Sequence, residues 1–247
     1  MDYIQTDSEI KKVLQFEIRA QPDDLSCGPT CLHAVYNFYG DVLNLNDVIN
    51  DVKQLEHGGT LAVFLGQHAL QRGYDATIYT YNLQIFDPSW FRSNVDLVEQ
   101  LKRQMAYKMD KNLLLASEAY IKYLEGGGKI RYQELSPMLI KKYLRKSIPI
   151  LTGLSATYLY DSMREIPTSN QYDSIKGEPA GHFVVINGYN KEDRKFFIAD
   201  PLNPNPLGST QYYKVSFGRL ISSILLGIVT YDANLLVIQP RNKNIKQ

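Results

Sequence analysis

Two cysteines stand one helical turn apart near the beginning of the chain. Cys27 is followed by Gly28 and Pro29, and proline is well tolerated in the first turn of a helix, so a helix is predicted to begin at about Ser26. A thiol at that end faces the positive end of the helix dipole and unpaired backbone N–H groups, which favour the reactive thiolate. Cys27 is therefore a candidate nucleophile, with a buried structural cysteine as the alternative. Cys31 is interpreted as an inert residue that faces the core.

A histidine and an aspartate lie at the ends of two predicted strands. His182 opens an apolar strand directly after Gly181, and Asp200 follows the next strand, with a turn at 190–194 between them. In an antiparallel pair the start of the first strand lies beside the end of the second, which would place His182 next to Asp200. A carboxylate there holds the imidazole in one tautomer and leaves its other nitrogen for a thiol. We therefore predict His182 as a general base and Asp200 as the residue that orients it.

Gln21 is separated from Cys27 by a polar turn that begins at Pro22. Its side-chain amide can point an N–H at the same spot as the backbone N–H of Cys27, and two converging donors beside a nucleophile form an oxyanion hole. The alternative for an isolated glutamine is an ordinary surface position. Gln21 is thus the predicted oxyanion donor.

Three further residues are candidates for contact with a substrate. Gly28 follows the candidate nucleophile and would let a substrate backbone approach closely. Gly181 provides a flexible entry to the strand that carries His182. His57 stands beside two glycines and would line the cleft, with a surface turn as its alternative.

The elements that must position these residues are helical first and then mostly β. The helix of Cys27 is expected to end at Gly40, a natural stop. Further helices are predicted at 44–52, 60–71 (capped by Thr60), 95–107, 112–124 and 136–145. Strands are predicted at 13–19, 76–81, 148–153, 182–188, 195–199, 211–215 and 235–238. This order indicates an α+β protein with a largely antiparallel C-terminal sheet.

The chain is expected to form one domain over residues 1–247. Residues 82–135 resemble an inserted helical subdomain or lid more than a separate domain. The segment 161–178 is rich in Ser, Pro and Asn and is predicted to be a mobile loop.

Composition narrows the possible partners. With 44% hydrophobic and 21% charged residues the chain is typical of a soluble globular protein. The 27 basic residues nearly balance the 26 acidic ones, so neither nucleic acid nor an anionic membrane is expected as a partner. The 18 tyrosines are interpreted as half-buried packing residues, with an aromatic binding surface as the alternative.

Two cysteines cannot supply a disulfide framework or a four-ligand zinc site, and the histidines lack metal-ligand spacing. We therefore expect no metal and no cofactor. A reducing compartment fits the cysteine usage best. The first residues lack the apolar core of a signal peptide, and the most apolar stretch, near 220–229, is too short to span a bilayer. The expected location is cytoplasmic.

Three segments resemble one known family. The runs 21–32, 182–185 and 199–201 are similar to those of the bacteriocin-processing, or double-glycine leader, peptidases and their stand-alone relatives within the papain-like superfamily. The segment 57–73 also resembles the part of those proteins that follows the nucleophile helix. The resemblance covers roughly residues 13–81 and 137–240 and implies a papain-like fold.

The same resemblance implies roles for four residues. Cys27 would be the nucleophile, His182 the general base, Asp200 the third member of the triad and Gln21 the oxyanion donor. The implied activity is that of a cysteine peptidase acting on a peptide or protein through a thioester. An acyltransferase, deamidase or isopeptidase would use the same residues, and a peptide-binding module without turnover is the non-enzymatic alternative. The extra residues 82–135 mean that a double-glycine substrate does not carry over directly.

Overall fold

In the computed structural model, residues 10–55, 59–93, 95–167, 169 and 171–241 are described. Within them one large sheet is flanked by helices on both faces. The strands of this sheet are β1 (Lys11–Val13), β2 (Tyr74–Thr80), β3 (Lys129–Arg131), β4 (Ile150–Ser155), β7 (Gly181–Asn190), β8 (Lys195–Ala199), β9 (Tyr212–Ser216) and β10 (Asn234–Pro240). A separate pair is formed by β5 (Glu165–Ile166) and β6 (Gln171–Tyr172).

The helices lie between these strands, mostly in the first half of the chain. They are α1 (Cys27–Phe38), α2 (Leu45–Asp51), α3 (Ala62–Gln71), α4 (Pro88–Arg92), α5 (Leu97–Met105), α6 (Lys111–Glu125), α7 (Pro137–Arg145), α8 (Ala156–Tyr160) and α9 (Phe217–Leu226), followed by a 3₁₀ turn at Gly227–Thr230. No helix in the described part of the chain is long and apolar enough to cross a membrane.

The long strand β7 organises the sheet. The strand order is β3-β2-β10-β4-β7-β8-β9, and β1 pairs with β7 beyond the end of β4. The β2–β3 pair is parallel and the other pairs of this sheet are antiparallel. Because β7 and β8 form a hairpin, the start of β7 and the residue after β8 lie at the same end of the sheet. The predicted α+β class is confirmed, although the sheet also takes in two strands, β1 and β2, from the N-terminal half.

The two faces of the sheet bury separate apolar clusters. Along β7, Phe183 and Val185 belong to the cluster under α1, α3 and α6, whereas Val184 and Ile186 belong to the cluster under α7 and α9. This alternation follows from the two-residue period of a strand buried on both faces. The α1 helix therefore rests directly on the strand that carries His182.

The predicted strand at 13–19 is shorter than expected. Pairing with β7 stops at Val13, although Leu14, Phe16 and Ile18 continue to alternate into the core. The reason is competition for one edge of β7, because β4 already pairs with residues 181–186 on that side. The predicted strands at 76–81, 148–153, 182–188, 195–199, 211–215 and 235–238 are present with small shifts at their ends.

The predicted cap of α3 is wrong. The helix begins at Ala62 after Leu61, and the Thr60 hydroxyl donates to the carbonyl oxygen of Lys53 at 2.8 Å. The other predicted helices are present, and the side chains of Asn44 and Ser136 cap α2 and α7. The short helices α4 and α8 and the amphipathic α9 were not predicted.

Residues 82–135 contribute side chains to the core. Leu101 of α5 and Ala116, Tyr120 and Tyr123 of α6 are buried in the same cluster as Cys27. β3 extends the main sheet next to β2. The segment 161–178 contains the β5–β6 hairpin, which is tied by backbone hydrogen bonds between Glu165 and Glu178.

Candidate active site

Cys27 is the first residue of α1 and is 8% exposed. The turn before it is fixed by Asp23, whose Oδ1 accepts from the Leu25 backbone N–H at 2.9 Å and from the Ser26 hydroxyl at 2.6 Å. A side chain at this position faces the positive end of a twelve-residue helix. The thiol therefore occupies the position that the helix start predicted for it.

Cys31 lies one turn further along α1 and is fully buried. Its thiol donates to the carbonyl oxygen of Phe183 at 3.3 Å. Burial raises the pKa of this thiol well above its ordinary value, and the charges of Cys27 and Asp200 raise it further. Cys31 is thus held as a protonated core residue, which agrees with its interpretation as inert.

His182 lies near the start of β7 and is 7% exposed. Its Nε2 lies 2.8 Å from Oδ1 of Asp200, and the ring lies close enough to Cys27 for that side chain to raise the pKa of His182. Burial lowers the pKa of His182, but the Asp200 charge and the hydrogen bonds to Asp200 and Cys27 outweigh burial and raise it to about 10. The structure therefore brings the three residues together with an imidazole that favours its protonated form at neutral pH.

Asp200 is completely buried directly after β8. Its Oδ1 accepts from His182 and from the backbone N–H of Leu202 at 2.9 Å. Its Oδ2 accepts from the hydroxyls of Tyr160 and Tyr213, each at 2.7 Å. Burial raises the pKa of Asp200, yet the charge and hydrogen bond of His182 and the bonds from Leu202 and Tyr160 outweigh it, so the pKa is lowered overall. The carboxylate is ionised because donors surround it.

Tyr160 and Tyr213 were not predicted as site residues. They were included among the tyrosines interpreted as packing residues, and nothing in their immediate sequence marks them. A signal did exist for Tyr213, because β9 follows Asp200 in a meander and Tyr213 pairs with Ile198, two residues before that aspartate. Tyr160 comes from α8, an element that was not predicted.

Gln21 is joined to the site through its backbone. Its N–H donates to the carbonyl oxygen of Pro201 at 2.9 Å. Its side-chain Nε2 donates to the carbonyl oxygen of Asp23 at 2.9 Å, and its Oε1 is buried without a hydrogen-bond partner among the described residues. One of the two amide hydrogens is thus directed at Asp23, and donation to a substrate oxyanion stays a prediction.

The predicted substrate contacts have different surroundings. A Cβ at Gly28 would lie 2.5 Å from Cγ2 of Thr60, so close packing between α1 and the start of α3 by itself explains the glycine. Gly181 is exposed at the start of β7, and a Cβ there would lie 2.9 Å from Oγ1 of Thr230. His57 lies outside the described residues.

The β5–β6 hairpin lies near His182. Burial raises the pKa of Glu165, the charge of Asp24 raises it further, and the charge of His182 acts in the opposite direction. Glu165 is therefore within electrostatic reach of both the turn before Cys27 and the histidine. The predicted loop at 161–178 borders the site.

A cavity of about 360 Å³ lies elsewhere, between α2 and α3. It is lined by Leu43, Asp47, Val48, Asn50, Asp51, His68 and Arg72. It contains none of the predicted site residues, so side-chain chemistry, and not cavity size, locates the candidate site. Among the described residues, no group of three or more His, Cys, Asp and Glu side chains is placed to hold a metal ion.

Comparisons with known proteins point to one family. The chain matches the model of the Peptidase_C39 like family over residues 13–221. None of the curated proteins matches it. A Bacillus anthracis structure assigned to the C39-like peptidases is similar with a TM-score of 0.53 and 14% identity, over 95% of this chain and 100% of that one. The match supports the fold.

Two further structures are similar at lower scores. The peptidase domain of Streptococcus ComA matches with a TM-score of 0.46 and 13% identity, over 92% of this chain and 99% of that one. Xylellain, a cysteine protease from Xylella fastidiosa, matches with a TM-score of 0.47 and 16% identity, over 95% of this chain and 87% of that one. Because the family model spans most of the sequence, from residue 13 to residue 221, the chain belongs to the peptidase C39-like family.

Proposed function

We propose that this protein is a cysteine peptidase that cleaves a peptide or amide bond through a thioester at Cys27. The observation that carries the proposal is the position of Cys27, at the start of α1 and beside the hydrogen-bonded pair of His182 and Asp200, in a chain of a peptidase family. The substrate is a peptide or a protein. No cofactor is needed for this chemistry.

Acylation begins with the thiolate–imidazolium pair of Cys27 and His182. The Cys27 sulfur attacks the carbonyl carbon, and the C–S bond forms as the carbonyl π electrons move onto oxygen. The oxyanion collapses, the C–N bond breaks, and His182 gives its proton to the leaving amine. Asp200 keeps the imidazole oriented throughout, because its Oδ1 holds Nε2.

Deacylation uses the same residues in reverse order. The neutral His182 takes a proton from water, the resulting hydroxide attacks the thioester carbon, and the C–S bond breaks to release a carboxylic acid and the thiolate. The predicted oxyanion donors in both steps are the backbone N–H of Cys27 and the side-chain amide of Gln21.

The first test is covalent trapping. The protein is incubated with a peptide aldehyde or an E-64-type epoxide, and the modified residue is found by intact and peptide mass spectrometry. We expect one label per chain on Cys27, no label in His182→Ala, and full labelling in Cys31→Ala, which keeps the nucleophile. Equal labelling of both cysteines, or none, would contradict the proposal and favour a peptide-binding module.

The second test separates hydrolysis from transfer. Peptides cleaved in H₂¹⁸O should carry one heavy oxygen in each new carboxyl group if water resolves the thioester. If an added primary amine captures most of the acyl group at millimolar concentration and hydrolysis is slow, the protein is an acyltransferase. Release of ammonia from glutamine side chains without chain cleavage would indicate a deamidase.

A further inference from the structure

Oδ2 of Asp200 faces two tyrosine hydroxyls that the catalytic steps do not use. Tyr160 is the last residue of α8 and Tyr213 lies on β9, so the two hydroxyls reach the carboxylate from separate elements. Each lies 2.7 Å from Oδ2. Both tyrosines have their pKa raised far above the usual value, by burial first and then by the Asp200 charge. They therefore remain neutral donors at neutral pH and below.

A carboxylate with no exposed surface needs such donors. An ionised side chain without hydrogen bonds in a buried site takes up a proton instead, because burial disfavours the charged form. His182 and the Leu202 backbone N–H both bind Oδ1. Without the two hydroxyls, Oδ2 would lose both side-chain donors that face it. A protonated Asp200 would in turn no longer stabilise the imidazolium of His182.

We propose that Tyr160 and Tyr213 are positioning residues that keep Asp200 ionised and turned toward His182, and that they thereby set the lowest pH at which Cys27 reacts. This inference rests on the proposed cysteine chemistry. In this role, the two tyrosine hydroxyls donate hydrogen bonds that stabilise the negative charge of Asp200. Their loss should be visible as a shift along the pH axis and not only as a loss of rate.

Other titratable groups face the same site, and their titrations must be distinguished from that of Asp200. Cys27 and Cys31 approach from α1, and His182 approaches from β7. Glu165 of the β5–β6 hairpin acts electrostatically on His182, and Asp24 acts on Glu165. Glu165 is the group most able to contribute a second acid titration, so Glu165→Gln is a necessary background.

The test measures the alkylation rate of Cys27 by iodoacetamide from pH 4 to pH 9. In Tyr160→Phe and Tyr213→Phe the acid midpoint should move to higher pH by about one unit, since a hydrogen bond to a charged group is lost, and further in the double variant. The plateau rate above the midpoint should stay within about threefold of wild type, because Cys27 and His182 are unchanged. The shift of the acid midpoint that Tyr213→Phe causes should be the same when Glu165→Gln is also present.

Tyr79→Phe is the matched control. It also removes a buried tyrosine hydroxyl, but that hydroxyl bonds to the neutral Tyr143 hydroxyl at 2.7 Å. Its acid midpoint should equal that of wild type. A lower plateau with an unmoved midpoint in both Asp200-facing variants, or no change in either, would overturn the proposal.

A second readout does not depend on a reactive thiol. In Cys27→Ala labelled with ¹³C at aspartate Cγ, the Asp200 resonance should titrate at higher pH when Tyr160→Phe or Tyr213→Phe is added. An unmoved titration would overturn the inference even if Cys27 proved unreactive, while unreactive wild-type Cys27 with a moved titration would count against the peptidase proposal alone. Circular dichroism confirms that each variant is folded.

Discussion

The backbone N–H of Gln21 donates to the carbonyl oxygen of Pro201 across 2.9 Å. This bond joins the turn before the nucleophile helix to the residue after Asp200. The position of Gln21 relative to the His182–Asp200 pair is therefore set by main-chain atoms, which a side-chain substitution leaves in place. That makes Gln21 a suitable site for testing the predicted oxyanion hole.

Gln21→Ala should lower kcat about 100-fold, because one donor to the oxyanion is lost. Gln21→Glu is the matched variant, since it keeps the size of the side chain and removes the N–H donors, and it should be at least as impaired. Steady-state kinetics on a cleaved peptide measure both. Near-normal kcat in either variant would show that the side chain, which donates to the Asp23 carbonyl in the structure, does not contribute to catalysis.

Replacing Cys27 should abolish activity, whereas replacing Cys31 should leave most of it. Cys27→Ala should abolish turnover, because no other group can form the thioester. Cys31→Ala removes a fully buried thiol whose bond is to the Phe183 carbonyl, so it should lower the free energy of unfolding by about 1 kcal/mol and keep most of the activity. Turnover and denaturant unfolding are measured on both. Loss of kcat in folded Cys31→Ala would contradict the assignment of Cys27 as the only nucleophile.

The charge of His182 should make stability fall at high pH. Its pKa is raised from the ordinary 6.5 to about 10 in the folded protein. A raised pKa stabilises the fold fully below the unfolded value of 6.5, and this contribution is lost as the pH rises through about 10. The free energy of unfolding of wild type should therefore decline between pH 7 and pH 10 more steeply than that of His182→Gln.

His33→Gln provides the control for that comparison. Burial lowers the pKa of His33, so this histidine does not contribute to a decline above neutral pH. Its variant should retain the wild-type slope, whatever its overall stability. Equal slopes in wild type and His182→Gln would mean that the buried imidazole is not held protonated.

Gly28→Ala should destabilise the fold by about 1–3 kcal/mol, the usual cost of overpacking a core. The added methyl would lie 2.5 Å from Cγ2 of Thr60. Thr60→Ser removes that methyl group and keeps the hydroxyl that bonds to Lys53, so the double variant should recover most of the loss. Gly218→Ala in α9, where a Cβ meets nothing within 4 Å, should be neutral or slightly stabilising.

Denaturant unfolding of wild type, Gly28→Ala, the Gly28→Ala/Thr60→Ser double variant and Gly218→Ala tests the packing explanation. If Gly28→Ala is as stable as Gly218→Ala, the packing explanation fails and the predicted contact with a substrate becomes the better reason for this glycine. If Thr60→Ser does not rescue Gly28→Ala, the clash lies with another neighbour, of which Phe183 is the next nearest at 3.2 Å.

The sequence by itself determined the elements whose causes are local. The start of α1 at Cys27 follows from Pro29 and the polar turn before it, and the end of that helix follows from Gly40, whose φ is +79°. The proximity of His182 and Asp200 was predictable because one short hairpin connects their strands, so that pairing alone brings them to the same end of the sheet. The three residues that carry the proposed chemistry were predicted in this way.

Only the tertiary structure decided the contacts between distant parts of the chain. Tyr160 and Asp200 are 40 residues apart, and their bond depends on how α8 packs beside β4 and β7. The strand expected at 13–19 ends at Val13 because β4 occupies the rest of that edge of β7. In such cases, segments that are far apart in sequence compete for the same strand edge, buried position or hydrogen-bond donor. The local sequence pattern of one segment does not show which of them will occupy it.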